Sequence, residues 1–195
     1  YPSAAEKIRW VNFGIETLEY LDPDCMVKAQ EKKKSMDISD DRIVIMCGYN
    51  AGEAHQHLKM IRALKKMEES VKNRAVLIVP MTYPKGQDLY IESVAAELKD
   101  WILTDYMNPK AMAEMEMMAD VLITVQKTDQ LSSTMLENMY AGKVVISERW
   151  PPYEILREKG LFFLSVDEIE ELAESVPEVV TNYQAYRDKC LSNKC

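Results

Sequence analysis

The sequence predicts a three-layer α/β domain with a parallel sheet between two sets of helices. Three observations predict it. From Asp41 onward, short β-branched and aliphatic runs alternate with longer amphipathic stretches. The runs are continuously apolar instead of alternating, as in strands covered on both faces. Strands separated by helices need crossover connections, which are right-handed and lay the strands down in parallel.

The elements follow in order. Residues 1–40 read as a polar, helical lead-in, in which Ile8, Val11, Ile15 and Leu18 recur at helical spacing. Within it, Glu31-Lys32-Lys33-Lys34 reads as a solvated face or loop. Strands are expected at 43–47, 75–79, 101–103, 121–125, 144–146 and 161–164, with helices near 54–71, 88–98, 109–118, 133–141, 153–159 and 167–180. Residues 41–180 then form the domain, and 181–195 a helical tail. No internal repeat is visible.

Composition sets bounds on function. With 47% hydrophobic and 29% charged residues among 195, the chain can bury a proper core. Its 24 basic against 32 acidic residues give a net charge of −8, which repels a nucleic-acid backbone. A small phosphate ligand in a local pocket is not excluded by that. Cys25, Cys47, Cys190 and Cys195 form no CxxC pair, so neither a disulfide scaffold nor a zinc site is expected. A reducing cytoplasm fits this usage, with Cys47 a buried free thiol. No apolar stretch is long enough to span a bilayer and no signal peptide is visible.

In a sheet of this kind, ligands sit at the carboxyl ends of the strands. The loops at 48–53, 80–87, 104–108, 126–133 and 147–152 are therefore where function is sought. In the first, Gly48-Tyr49-Asn50-Ala51-Gly52 lets backbone approach a phosphate at a helix N-terminus, or is an ordinary tight turn. It is neither GxGxxG nor a Walker box, and the second expected strand ends in Pro80 where a dinucleotide enzyme carries an acid. His55 and His57, two apart on one helix, would point about 200° apart, which disfavours a shared metal. Either could bond a phosphate or a sugar hydroxyl. Otherwise one is a surface histidine and the other half-buried. Met112, Met115 and Met118 share one helical face and read as adaptable core.

The stretch 121–146 is the most informative. A buried strand ends near Val125, and a polar loop carries Lys127 and Asp129. Ser132, Ser133 and Thr134 open a helix that stops at Gly142. Free amides at that helix start can hold a diphosphate, with Lys127 balancing charge. Glu137, one turn on, can accept bonds from two ribose hydroxyls. Equally, Thr134-x-x-Glu137 is a capping box, in which Glu137 turns back to the backbone.

Asp129 and Glu137 stand at the interval of an acidic–x7–Glu motif, followed by Met139-Tyr140-Ala141-Gly142-Lys143-Val144-Val145-Ile146 and preceded by Ala119-Asp120-Val121. This stretch resembles the C-terminal, Rossmann-like nucleotide-sugar-binding domain of GT-B glycosyltransferases, especially the family-4 (group 1) type. More faintly, Gly48 and His55-Gln56-His57-Leu58 with Met81-Thr82-Tyr83-Pro84 are similar to bacterial transferases that add an amino-deoxyfucose to a lipid-linked glycan. The resemblance implies that Glu137 binds ribose, that amides around Ser132, Ser133 and Thr134 hold the diphosphate, and that Asp129 lies at the reaction centre. The 104–107 loop, with Tyr106, would lie against the base. Gly48, Asn50, His57 and Lys127 would complete the donor site. No metal or cofactor is implied.

The expected protein is thus half of a glycosyltransferase whose acceptor, a glycan or lipid-linked glycan, is held by an N-terminal domain preceding residues 1–40. It would be bacterial and cytoplasmic, with peripheral association at the inner membrane face. The sequence departs from the pattern in Tyr49 after Gly48, in Asp129 for Glu, and in Gln130-Leu131-Ser132 where glycines are usual. The rival readings are a sugar-nucleotide epimerase half and a receiver-like interaction domain. The first lacks a visible acid/base pair, and Asp120 precedes its strand where a receiver's acceptor ends one.

Overall fold

A computed structural model describes residues 14–98, 101–126 and 131–194. Helix α1 (Pro23–Ser35) precedes β1 (Ile43–Cys47), α2 (His57–Leu64), α3 (Glu69–Lys72) and β2 (Ala75–Pro80). Then come α4 (Asp88–Glu97), β3 (Trp101–Leu103), α5 (Pro109–Met118), β4 (Val121–Thr124), α6 (Ser133–Tyr140) and β5 (Val144–Glu148). The chain closes with α7 (Glu154–Glu158), β6 (Leu164–Val166), α8 (Leu172–Thr181) and α9 (Tyr183–Cys190). The six strands form one parallel sheet of order β3-β2-β1-β4-β5-β6.

Every residue of β1, β2, β4 and β5 is buried, whereas the edge strands β3 and β6 are partly exposed. Side chains alternate between faces along a strand. Ile43, Ile45 and Cys47 therefore join the core under α2, α8 and α9, while Val44 and Met46 join the one under α1, α5, α6 and α7. Two-sided burial is the physical reason the interior strands read as unbroken apolar runs.

Three elements differ from the expectation. The helix expected at 54–71 is a 3-10 turn (Glu53–His55), then α2, then α3, because Gln56 adopts a left-handed φ of 56° and stops the first turn. The strand expected at 161–164 starts only at Leu164. The amide of Leu161 closes the end of α7 on Leu156, and the Asn193 side chain takes both backbone groups of Phe162, at 2.8 and 2.7 Å. Those groups have no strand partner to give. Finally, Lys33 is buried within α1, its Nζ donating to the carbonyls of Arg42 (2.9 Å) and Asp40 (3.4 Å), so the lysine run is not uniformly solvated.

The last helix returns to the sheet. Tyr183 donates its hydroxyl to Asp120 Oδ1 (3.1 Å), and Asp120 Oδ2 accepts the Val44 amide (2.9 Å), linking α9, β4 and β1. Desolvation, with Asp120 second, pushes the Tyr183 phenol far above its ordinary range. A bond to a charged group of this kind contributes about 1.5 kcal/mol. Tyr183→Phe is expected to lower the unfolding free energy by that amount, read as a lower urea midpoint with the slope unchanged. An unaltered midpoint would mean the bond contributes nothing.

Candidate functional site

Strand order reverses between β1 and β4, so the chain leaves these neighbours in opposite directions and opens a crevice at their carboxyl ends. The loop after β1 spans this crevice. The Gly48 amide donates to the Ile123 carbonyl (2.9 Å), Gln56 Nε2 to the Val125 carbonyl (2.8 Å) and the Tyr49 hydroxyl to Gln126 Oε1 (3.0 Å). On its other side the Ala51 amide donates to the Tyr83 carbonyl (2.6 Å), joining the two segments paired in the amino-deoxyfucose resemblance. Asn50 Oδ1 accepts the Gly52 amide at 2.7 Å, so that oxygen is engaged in its own turn. Gly48 sits at φ +67°, and a Cβ there would lie 2.7 Å from His57 Nε2. Both conformation and space demand glycine.

The histidines correct the sequence reading. They do not share one helix, because Gln56 breaks it between them. Their ring centroids are 5.5 Å apart, and both are fully buried. His55 meets the edge of Tyr49 at 4.3 Å. The backbone amide of His57 donates to the Tyr90 hydroxyl (3.2 Å), which also lies 3.3 Å from His57 Nδ1. The start of α2 is therefore already capped from α4, and an anion there meets a hydroxyl instead of bare amides. Burial lowers the His55 pKa to about 4. Burial, with His55 second, lowers that of His57 to about 3, so both rings are neutral near pH 7. His57 Nε2 and both ring nitrogens of His55 have no partner among the described residues.

Across the crevice, Ser132 is the N-cap of α6, its Oγ accepting the Met135 amide at 3.2 Å. A capping box on that cap needs an acid at Met135, so Thr134 and Glu137 do not form one. The Ser133 and Thr134 amides have no acceptor among the described residues. The far end of α6 closes as read. Gly142 sits at φ +71°, its amide bonds Met139, and the Lys143 amide bonds Asn138, a Schellman motif.

Glu137 itself is 4% exposed, and beside it on α5 stands Glu116 at 0%. Burial first, and the neighbouring Glu137 second, push the Glu116 carboxyl well above the usual carboxylate range. Neither Glu116 oxygen has a donor among the described residues, so a proton retained on Glu116 lets it donate to Glu137. Sequence reasoning missed Glu116, because it lies between Met115 and Met117 inside a run read as core. Met115 and Met118 are indeed buried and Met112 packs at the margin.

Tyr106 is 77% exposed after β3. Near it a cleft of about 510 Å³ runs between Thr104 and residues 81–88, with the buried Thr82 hydroxyl lacking a partner among the described residues. The hydroxyls of Thr124 and Ser147, paired in register at the ends of β4 and β5, are likewise buried with no partner among the described residues. Lys127 and Asp129 lie outside the described residues.

The two carboxyls give a pH prediction. The unfolded chain releases the Glu116 proton near pH 4.3 while the folded domain keeps it. Folding then binds the extra proton, and stability falls as pH rises through that window. Glu116→Gln removes this dependence, so it should gain stability over the wild type between pH 5 and pH 8 in urea unfolding. An offset equal at both pH values would show that Glu116 holds no proton.

An all-parallel sheet of this order, reversing between β1 and β4, is a Rossmann-like fold of the kind found in GT-B glycosyltransferases. A family model described as 4-alpha-L-fucosyltransferase, glycosyl transferase group 56, matches residues 14–133, more than half of the chain, and the chain belongs to that family. Solved structures agree on the fold. WaaG, a glycosyltransferase involved in lipopolysaccharide biosynthesis, superposes with a TM-score of 0.67 at 16% identity, over 89% of this chain and 46% of its own. Anabaena HepE in complex with UDP and glucose gives 0.72 at 13%, over 95% and 50%. Sucrose-phosphate synthase from Thermosynechococcus elongatus gives 0.66 at 14%, over 85% and 43%. The chain thus spans half or less of the length of these enzymes. No curated protein matches its sequence significantly. Among the described residues no helix is long and apolar enough to cross a membrane.

Proposed function

We propose that this domain is the donor-binding half of a glycosyltransferase, and that its donor is a nucleoside-diphosphate sugar of the fucose type. The observation that carries the reading is that the single reversal of strand order brings together a glycine turn and a helix start whose Ser133 and Thr134 amides have no acceptor among the described residues. An oxyanion ligand needs both close backbone approach and N–H donors. The family's description supplies the sugar class.

In this reading the diphosphate lies on the amides of Ser132, Ser133 and Thr134, with Lys127 and His57 beside it. Glu137 takes the ribose hydroxyls, and the 104–107 loop with Tyr106 lies along the base. Gly48 leaves room for the phosphate, and Asn50 offers its Nδ2 amide. Asp129 stands at the reacting centre. The main catalytic device is stabilisation of the departing diphosphate by the α6 dipole and the Lys127 charge. No metal is needed for it. The acceptor, a glycan or lipid-linked glycan, comes from a preceding N-terminal domain, so the domain alone binds nucleotide and transfers nothing. The full enzyme then works in a bacterial cytoplasm, peripherally at the inner membrane face.

Calorimetric titration with UDP, GDP and dTDP tests the reading, and one of them is expected to bind. A folded domain that binds none of the three fits an interaction module instead. Glu137→Ala should then weaken the bound nucleotide by about 1–3 kcal/mol through stranded hydroxyl partners. Unchanged affinity in a variant with wild-type circular dichroism would remove Glu137 from the ribose site.

A further inference from the structure

Counting protons around Tyr90 fixes a feature of the site that residue identities leave open. A phenol oxygen carries one hydrogen and two acceptor positions. Tyr90 accepts the backbone amide of His57 at 3.2 Å, which takes one acceptor position. Its own hydrogen remains, and among the described residues the acceptor within reach of it is His57 Nδ1, 3.3 Å away.

If Tyr90 donates to Nδ1, the single proton of the neutral imidazole resides on Nε2. That nitrogen is fully buried, has no partner among the described residues, and points at the turn where a Gly48 Cβ would lie 2.7 Å away. An N–H left unmatched in such a place costs stability. The cost is offset if a ligand oxygen arrives there. A phosphoryl oxygen is acceptor-only, so it is matched by Nε2–H and repelled by an Nε2 lone pair. We propose that Tyr90 is a positioning residue which locks His57 in the Nε2–H tautomer and so presents a neutral N–H donor, at the Gly48 turn, to a phosphoryl oxygen of the nucleoside diphosphate. The proposal rests on the donor-site reading above. The donor it supplies needs no charge on a buried ring.

The experiment combines nuclear magnetic resonance with a double-mutant cycle. Long-range ¹H–¹⁵N correlation on ¹⁵N-histidine-labelled domain reports the tautomer directly, with the His57 signals assigned from their loss in His57→Gln. The wild type is expected to be Nε2–H, and Tyr90→Phe to shift toward Nδ1–H. With the nucleotide that binds among UDP, GDP and dTDP, Tyr90→Phe should lose about 5–10-fold in affinity, one hydrogen bond's worth. Glutamine at position 57 carries an N–H₂ that needs no tautomer. In the His57→Gln background, therefore, Tyr90→Phe should cost almost no affinity. Tyr90 acting only as a helix cap would cost the same in both backgrounds, and that result overturns the proposal. So does a wild-type Nδ1–H signal, even where nucleotide binds. A wild-type Nε2–H signal without binding of any nucleotide instead overturns the donor-site reading, and the phosphoryl assignment with it.

Discussion

A strand buried on both faces has nowhere to place a polar side chain except beyond its end. β1, β2, β4 and β5 are such strands, and their buried residues are almost entirely aliphatic. Polar chemistry is thereby expelled to the strand termini. The hydroxyls of Thr124 and Ser147, at the last registered pair of β4 and β5, are where polarity begins. The parallel arrangement then gathers all six carboxyl ends at one edge, and the reversal between β1 and β4 decides which two loops face each other. Gly48 and Ser132 are far apart in sequence, and their loops lie at one edge of the sheet for that reason.

The same constraint explains how much could be read from the sequence. Continuous apolar runs announce two-sided burial, so the four interior strands were legible to within two residues. The edge strand β6 was not, since the apolar residues Leu161 to Phe163 are consumed by a helix end and by the Asn193 side chain. Local pattern also failed at Gln56, where a residue with no marked left-handed preference takes φ 56°. That one backbone choice moved both histidines indoors. Lys33 looked like a charge among charges, and only tertiary context offers it two carbonyls.

Of the candidate site, the positions set by backbone were visible: the glycine turn, the helix opened by serines, and its closing at Gly142. The network of buried side chains was not. Tyr90 carries no signal for contact with His57, which precedes it by more than thirty residues and packs from another helix. Glu116 is masked by its methionine neighbours, and the Thr134–Glu137 spacing suggested a cap that the structure builds from Ser132 instead. Side-chain pairings between helices depend on crossing geometry, which a single sequence does not encode locally.

These buried groups sit on opposite faces of the sheet, His55, His57 and Tyr90 in the layer of α2 and α4, Glu116 and Glu137 in that of α5 and α6. None of them favours the folded state on its own account, since burying ionisable or unpartnered polar groups opposes folding. The two clusters also differ in what they offer. One presents nitrogen at the glycine turn, suited to an oxygen that can only accept. The other holds paired carboxyls below the start of α6, suited to hydroxyls that can donate. In the proposed reading, a nucleoside diphosphate, which carries an anionic oxyacid and a vicinal diol on one frame, is the ligand that meets both. Apolar residues at these positions would make a more stable sheet protein, and it would lose the means of telling one end of that ligand from the other.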